Sequence, residues 1–156
     1  MLMLSLSLLG TAEAKDLRQG VGVGYSNQLP HIDALSVKLG LPTRDATINV
    51  QVQALFGVSL LDDTDDALFA GGRLLYGIVA EDDMNVYAIA GAGFFTNGAR
   101  NGLRLQPALG CEFFLFGLEN LGFSLEWGLT IDMAGGRDLY TVGSGAGLGV
   151  HYWFGT

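Results

Sequence analysis

The stretch GFSLEWGLTIDMA, residues 122–134, alternates between apolar and polar side chains almost without exception. The apolar set is Phe123, Leu125, Trp127, Leu129, Ile131 and Met133, and the polar set is Ser124, Glu126, Gly128, Thr130 and Asp132. Successive side chains of a β-strand point to opposite faces, so this pattern predicts a strand with one apolar and one polar face. The carboxylates of Glu126 and Asp132 therefore face a different environment from the apolar residues around them.

The same alternation recurs along the chain. In residues 48–60 the even positions are all apolar. The odd positions are Asn, Gln, Gly or Ser, with Leu55 as the one exception. A helix would not keep a period of two over thirteen residues, so these segments are predicted to be strands. Eight such strands are predicted, at residues 19–27, 33–42, 46–60, 67–80, 84–95, 102–115, 121–133 and 139–154.

Short segments rich in Gly, Pro, Asn or Asp separate these strands, as turns require. They are NQLPHID, PTRDA, LDDTDD, EDDM, TNGARNG, FGLENLG and AGGRD. Short connections between successive strands predict an antiparallel meander. Most of the strands exceed the usual length of about 5 to 6 residues and match the roughly 9 to 11 residues that cross a bilayer at a tilt.

The pair of strands on either side of FGLENLG provides an internal test. One antiparallel register places Leu105 beside Ile131, Leu109 beside Trp127 and Phe113 beside Phe123 on the apolar face. The same register places Arg104 beside Asp132, Gln106 beside Thr130 and Glu112 beside Ser124 on the polar face. A single register that sorts both faces supports the assignment of both strands.

The composition indicates which face is outside. Apolar residues make up 49% of the chain and charged residues 15%, whereas soluble domains carry about 25% charged residues. The polar stripes consist mainly of Gly, Ser, Ala, Gln and Asn, which suit the narrow interior of a barrel. In a bilayer, a closed barrel is the one kind of sheet that pairs all of its backbone polar groups. The predicted fold class is therefore all-β, an eight-stranded antiparallel up-and-down transmembrane β-barrel with short loops.

This register predicts a set of inward charges and a set of boundary aromatics. The inward charges are Lys38, Arg73, Arg104, Glu112, Glu126 and Asp132. Opposite charges in a narrow interior are expected to pair, which predicts a polar, largely plugged lumen. A narrow ion path is the alternative, and an excess of acid in a hydrated lumen would favour cations. At the two membrane boundaries we expect Tyr140 at one side, and Tyr152 with Phe154 at the other.

The N-terminus predicts export. Residues 1–14, MLMLSLSLLGTAEA, form a short apolar run that ends in a small-x-small triplet at Ala12–Ala14, so they are predicted to be a signal peptide that lacks the usual basic region. Residues 15–156 then form a single barrel domain.

Several kinds of chemistry find little support in the sequence. The net charge of −8 and the lack of a basic patch argue against nucleic acid as a partner. The acidic runs at 62–66 and 81–84 lack EF-hand spacing, and no CxxC or paired histidines support a transition metal, so no metal and no cofactor are expected. The two histidines, His31 and His151, are expected to be structural, and Cys111 to be a small hydrophobe.

The exported N-terminus, the eight strands, the segment YAIAGAGFF (87–95) and the final strand GLGVHYWF (147–154) resemble the small eight-stranded outer-membrane barrels of Gram-negative bacteria, the OmpA-like and OmpX-like class. That resemblance implies outer-membrane lipids as surroundings, both termini in the periplasm, and insertion by the barrel-assembly machinery. In that class a terminal aromatic residue ends the last strand, whereas here Gly155 and Thr156 follow Phe154.

Three functions follow as hypotheses. The first is a structural barrel that anchors the envelope or docks another envelope protein. The second is a narrow ion channel, and the third is a soluble periplasmic barrel that binds an apolar ligand. No catalytic constellation is found, so the chain is not expected to be an enzyme, although a lipid-modifying activity stays open below these three.

Overall fold

The computed structural model describes residues 15–29, 32–45, 48–59, 67–81, 83–97, 100–134 and 140–155. They form one antiparallel sheet that closes into a barrel, with the strands arranged in chain order. The strands are β1 (Val21–Leu29), β2 (Ile32–Leu41), β3 (Val50–Ser59), β4 (Ala67–Glu81), β5 (Met84–Asn97), β6 (Arg100–Leu115), β7 (Leu118–Ala134) and β8 (Tyr140–Phe154). The predicted eight-stranded up-and-down barrel is confirmed. Within the described ranges no helix is long and apolar enough to cross a membrane.

The two faces of the wall differ in the way that the alternation predicts. Outward side chains are apolar and exposed, for example Leu35 at 71% and Trp127 at 62%. Inward side chains are buried, and many of them are polar or charged, with Lys38 and Glu112 at 0% exposure. The barrel is therefore apolar outside and polar inside, the reverse of a soluble domain.

The β6–β7 ladder has the predicted register. It pairs Arg104 with Asp132 and Leu105 with Ile131, and farther along the two strands it pairs Leu109 with Trp127, Glu112 with Ser124 and Phe113 with Phe123. Between these stretches the ladder is interrupted and resumes at Ala108–Gly128. The predicted Gln106–Thr130 pair falls in this gap, beside Pro107, which has no backbone N–H to donate.

Most strand boundaries differ from prediction by one to four residues, and the starts of β7, β3 and β1 differ for reasons that the structure shows. β7 begins at Leu118 because the β6–β7 turn is only Phe116–Gly117, with Gly117 at a φ of 81°, and a register shift after Phe114 absorbs the extra residues. β3 begins at Val50, after Asn49, whose carbonyl accepts a hydrogen bond from the Gly77 N–H at 2.7 Å. β1 begins at Val21, because Gln19 takes a left-handed φ of 62° that no strand allows.

The residues before β1 fold into the barrel mouth. Residues 15–20, here called the N-terminal plug, lie at the terminal end, which is the end of the barrel where β1 begins and β8 finishes. Leu17 is 1% exposed and packs against Phe114 and Trp153 inside the wall. Asn49 holds the backbone of the plug, since its Oδ1 accepts from Leu17 N at 3.3 Å and its Nδ2 donates to the Lys15 carbonyl at 3.1 Å.

The outer edge of the N-terminal plug carries an exposed ion pair. Arg18 donates to both carboxylate oxygens of Asp16, at 2.8 and 2.6 Å, and these bonds hold the pKa of the Asp16 carboxyl below its ordinary value. Arg18 also donates to the Thr43 carbonyl at 3.3 Å in the β2–β3 connection. The plug is thus fastened both to the lumen and to a neighbouring turn.

Gly40 makes room for the N-terminal plug. A Cβ at this position would lie 1.7 Å from the Leu17 carbonyl oxygen, far inside contact distance. The Gly40 carbonyl also accepts a hydrogen bond from Gln19 N at 3.0 Å. Because Gly40 has no side chain, the backbone of β2 packs directly against the backbone of the N-terminal plug.

The seam that closes the barrel is short. β1 pairs with β8 over six residue pairs, Val21–Ser26 with Gly149–Phe154, whereas β7 pairs with β8 over thirteen. Where this ladder stops, the Asn27 side chain accepts a hydrogen bond from the backbone of Leu148 at 2.7 Å. The Asn27 side chain thus adds one hydrogen bond between β1 and β8 beyond the end of their backbone ladder.

Candidate functional site

The lumen is the candidate site, because it gathers the buried charges of the chain. The six charges that the sequence predicted to point inward all lie there: Lys38, Arg73, Arg104, Glu112, Glu126 and Asp132. They form three ion pairs, so these six luminal residues carry three positive and three negative charges, with no excess of acid among them. The condition that would favour cations is therefore not met by these residues.

The first pair lies near the terminal end. Lys38 Nζ donates to Glu112 Oε1 at 3.0 Å, and neither side chain has exposed surface. Trp153 Nε1 donates to the same oxygen at 3.2 Å, and Lys38 Nζ lies 5.7 Å from the centroid of the Tyr87 ring. Glu112 thus accepts from two strands that are distant in sequence, β2 and β8.

The second pair lies deeper in the lumen. Arg73 Nη2 bonds to Glu126 Oε2, and both side chains are 3% exposed or less. Tyr87 donates its hydroxyl to Glu126 Oε1 at 3.0 Å, and Arg73 Nη1 donates to Gln53 Oε1 at 3.1 Å. Both carboxylate oxygens of Glu126 are therefore satisfied, which a buried carboxylate requires.

Neutral side chains extend this second pair across the barrel. Gln53 Nε2 donates to Ser36 Oγ at 2.7 Å, and Ser36 Oγ lies 2.7 Å from His151 Nε2. A single hydrogen-bonded chain therefore joins six strands through His151, Ser36, Gln53, Arg73, Glu126 and Tyr87. These cross-barrel bonds brace the wall from inside.

The third pair lies toward the opposite end and is more accessible. Arg104 donates to Asp132 through Nε at 2.6 Å and through Nη2 at 2.7 Å, a two-bond geometry that suits guanidinium and carboxylate. The two side chains are 13% and 21% exposed. Arg104 also lies over the Phe95 ring, 5.3 Å from its centroid.

Removing one partner of this third pair should destabilise the barrel moderately. We expect Asp132→Ala to lower the free energy of unfolding by about 1 to 3 kcal/mol, because it leaves Arg104 without its acceptor in a partly buried site. Arg104→Ala should cost a similar amount, and the double variant should cost less than the sum of the two. Urea titrations of the folded barrel in phospholipid vesicles measure this coupling. Strictly additive effects would show that the two side chains do not interact.

Apolar layers lie on either side of the two fully buried ion pairs, Lys38–Glu112 and Arg73–Glu126. Toward the terminal end, Leu17, Phe114 and Trp153 pack together. Toward the opposite end, a second buried cluster consists of Ala34, Leu55, Ala67 and Phe69, with Phe95 packed against it. Leu55, the apolar exception on the polar face of its strand, is thus part of a luminal layer.

Sequence reasoning missed the partners that lie across the barrel. Ser36, Gln53, Tyr87, Trp153 and His151 all occupy inward positions of their strands, and the alternation does place them inside. Their contacts depend on how the closed sheet brings distant strands face to face, which the pattern of a single strand does not encode.

A serine, a histidine and a carboxylate lie close together in the lumen, as in a hydrolase triad, but without the geometry of one. They are Ser36, His151 and Glu112. The Ser36–His151 contact is 2.7 Å, but His151 Nδ1 lies 4.0 Å from Glu112 Oε1, beyond hydrogen-bond reach. Ser36 is 1% exposed and its Oγ already accepts a bond from Gln53, so a substrate has no access to it. All three side chains are buried in the lumen.

The three aromatic residues predicted for the membrane boundaries lie on β8. Tyr152 and Phe154 are 45% and 55% exposed, and their rings meet edge to face with centroids 4.8 Å apart. Tyr140 is the first residue of β8 and pairs with Met133 at the opposite end. Cys111 pairs with the exposed Leu125 on the outer face of the wall. His31 and the predicted signal peptide, residues 1–14, lie outside the described residues.

No metal centre is built from the part of the chain that the structure describes. No group of three or more His, Cys, Asp or Glu side chains in it is placed to hold an ion. The luminal carboxylates are instead paired with Lys38, Arg73 and Arg104.

Comparison with known proteins bears on the fold. No family model matches the sequence, and no curated protein matches it. Among solved structures, the chain is similar to the Yersinia pestis outer membrane protein Ail, determined in a phospholipid bilayer nanodisc, with a TM-score of 0.55 and 12% sequence identity over 86% of this chain and 97% of Ail. With the closed meander of eight strands, this likeness shows that the chain has the fold of the small eight-stranded outer-membrane barrels.

Proposed function

We propose that this protein is an integral barrel of the bacterial outer membrane with a closed lumen and a structural role, anchoring the envelope or docking another envelope protein. The observation that carries the proposal is the filled interior. Lys38, Gln53, Glu112, His151 and Trp153 all have 0% exposure. A lumen packed in this way braces the wall and leaves the outer surface and the two ends to act on the surroundings.

The outer wall supports the membrane location. Its exposed large side chains are predominantly apolar, a surface that would be unfavourable in water and that suits lipid. From Tyr140 to Tyr152, β8 advances by twelve residue-to-residue steps, which is about 40 Å along the strand at about 3.3 Å per step. At a tilt near 40° this spans about 30 Å, enough to cover the roughly 25 Å apolar band of such barrels.

The orientation that we propose follows the resemblance to the OmpA-like and OmpX-like class. The terminal end, with the N-terminal plug and the compact β6–β7 turn, would face the periplasm after export, and the connections at the opposite end would face the exterior. Insertion would use the barrel-assembly machinery, with β8 as the strand that it engages. Outer-membrane lipids would be the principal partners of the wall.

The interior argues against the two alternative functions. A soluble carrier of an apolar ligand needs an apolar cavity, whereas this lumen is crossed by ion pairs. An ion channel needs a hydrated path, whereas apolar layers around Leu17 and Phe69 lie on either side of the two fully buried ion pairs. The packed side chains of the lumen therefore support a closed barrel interior.

Conductance measurement tests the closed lumen. The barrel, folded into a planar phospholipid bilayer, should give a current no higher than the lipid alone, because its luminal side chains exclude water. Insertion is checked on the same sample by a gel of boiled and unboiled protein, in which a folded membrane barrel changes mobility on boiling. Discrete, cation-selective current steps would instead establish the channel, and full extraction of native protein into buffer without detergent would establish a soluble barrel.

A further inference from the structure

The turns at the terminal end differ in polarity. The β4–β5 turn carries the exposed acidic residues Glu81 and Asp83, and the β2–β3 connection carries Arg44 and Asp45. By contrast, the β6–β7 turn presents Phe116 with its side chain 100% exposed. Phe116 is not isolated, because it lies next to exposed Leu115 and Leu118, and a contiguous exposed apolar patch marks an interaction surface.

The apolar surface continues from the wall to this tip. Leu115 and Leu118 form the last ladder pair of the hairpin and are 47% and 49% exposed. The next outward pair along the ladder is Phe113 and Phe123, whose rings stack with centroids 5.8 Å apart. Phe116 therefore ends an apolar stripe that begins on the lipid-facing wall.

A groove joins the tip to a boundary aromatic. It has a volume of about 430 Å³ and is lined by Gly117, Leu118, Glu119, Asn120, Leu121 and Tyr152. Its lining combines the apolar side chains of Leu118, Leu121 and Tyr152 with the polar side chains of Glu119 and Asn120. A mixed lining of this kind suits the boundary between lipid acyl chains and headgroups.

The base of the hairpin is held in place. Lys15 Nζ donates to the Glu119 carbonyl at 2.8 Å and lies 5.2 Å from the centroid of the Phe114 ring. Phe114 N in turn donates to the Asp83 carbonyl at 2.8 Å. The N-terminal plug and the neighbouring turn thus fix the direction in which Phe116 projects.

We propose that the tip of the β6–β7 hairpin, Leu115–Leu118, inserts into the headgroup–acyl boundary of the lipid leaflet at the terminal end. This inference rests on the proposed membrane location and deepens it by naming a lipid contact beyond the wall. Phe116 and Leu118 enter the leaflet, while Glu119 and Asn120 stay at the aqueous side. The acidic β4–β5 turn stays in water.

Depth-dependent quenching tests the insertion. Phe116→Cys and Asp83→Cys are each prepared with Cys111→Ser, labelled with an environment-sensitive nitrobenzoxadiazole fluorophore, and folded into phosphatidylcholine vesicles that carry brominated acyl chains. The label at 116 should emit at shorter wavelength and be quenched several-fold more strongly than the label at 83. The Phe116 side chain packs against nothing, so its replacement should leave folding intact, and Leu118→Cys serves as a second position.

Quenching of Trp127 fluorescence distinguishes a failure of this inference from a failure of the proposed membrane location. Trp127 is 62% exposed on the outer wall, while Trp153 has 0% exposure in the lumen, so quenching of the native fluorescence by brominated lipid reports insertion of the wall. If Trp127 is quenched but labels at 116 and 118 behave like the label at 83, the hairpin is in water and the inference is overturned. If Trp127 is not quenched either, the membrane location itself is wrong.

Discussion

Replacing Glu126 with alanine is expected to lower the free energy of unfolding by about 3 to 5 kcal/mol, because it leaves Arg73 as an uncompensated charge in the lumen. Both groups of this pair are 3% exposed or less, so water cannot take the place of the lost carboxylate. The Tyr87 hydroxyl loses its acceptor in the same substitution. Urea titration of the folded barrel in phospholipid vesicles measures the loss.

A double variant distinguishes the cost of losing the ion pair from the cost of leaving Arg73 buried without a partner. Arg73→Met combined with Glu126→Leu removes both charges and should restore most of the stability, since the desolvation of the two ions is removed with them. The more exposed Asp132→Ala should be less costly than Glu126→Ala. A Glu126→Ala barrel that unfolds at the same urea concentration as the parent would contradict the luminal network described here.

Gly40→Val is expected to expel the N-terminal plug. The new Cβ would lie 1.7 Å from the Leu17 carbonyl oxygen, and a backbone atom cannot move aside as a flexible side chain can. We expect a loss of about 2 to 4 kcal/mol, from the exposure of Leu17 and the loss of its hydrogen bonds. Trypsin should then cleave after Arg18 in the folded barrel, where the parent is protected.

Gly145→Val is the matched control for the plug. Gly145 lies in β8, its Cβ would meet no atom within 4 Å, and valine suits a strand. This variant should keep both the stability and the protection from trypsin. Equal cleavage of the Gly40→Val variant and the parent would show that the plug does not depend on the gap at Gly40.

The sequence alone was sufficient for the wall of the barrel. Alternation is local, so it places Glu126 and Asp132 on the inner face without knowledge of any other strand. A short hairpin constrains its own register, which is why the Arg104–Asp132 pairing could be predicted from two adjacent strands. Both results need only the period of two and a nearby turn.

Contacts across the lumen and around the plug could not be predicted in this way. Ser36 meets His151 across 115 residues of sequence, and the partner of each is fixed by the closure and stagger of the whole sheet. The N-terminal plug has no periodicity, and residues 19 and 20 were wrongly assigned to β1. Its conformation depends on Gln19 in the left-handed region and on the missing side chain of Gly40.

The six-pair seam between β1 and β8 bears on the order in which the barrel folds. Each of the other ladders joins strands that are neighbours along the chain, so those hairpins can form early by closing small loops. The seam joins the first and the last strand, so closing it costs the largest loss of chain entropy. It forms only six residue pairs, which offset little of that loss. The ring is therefore expected to close last at Val21–Ser26 and Gly149–Phe154, and to open there first when it unfolds.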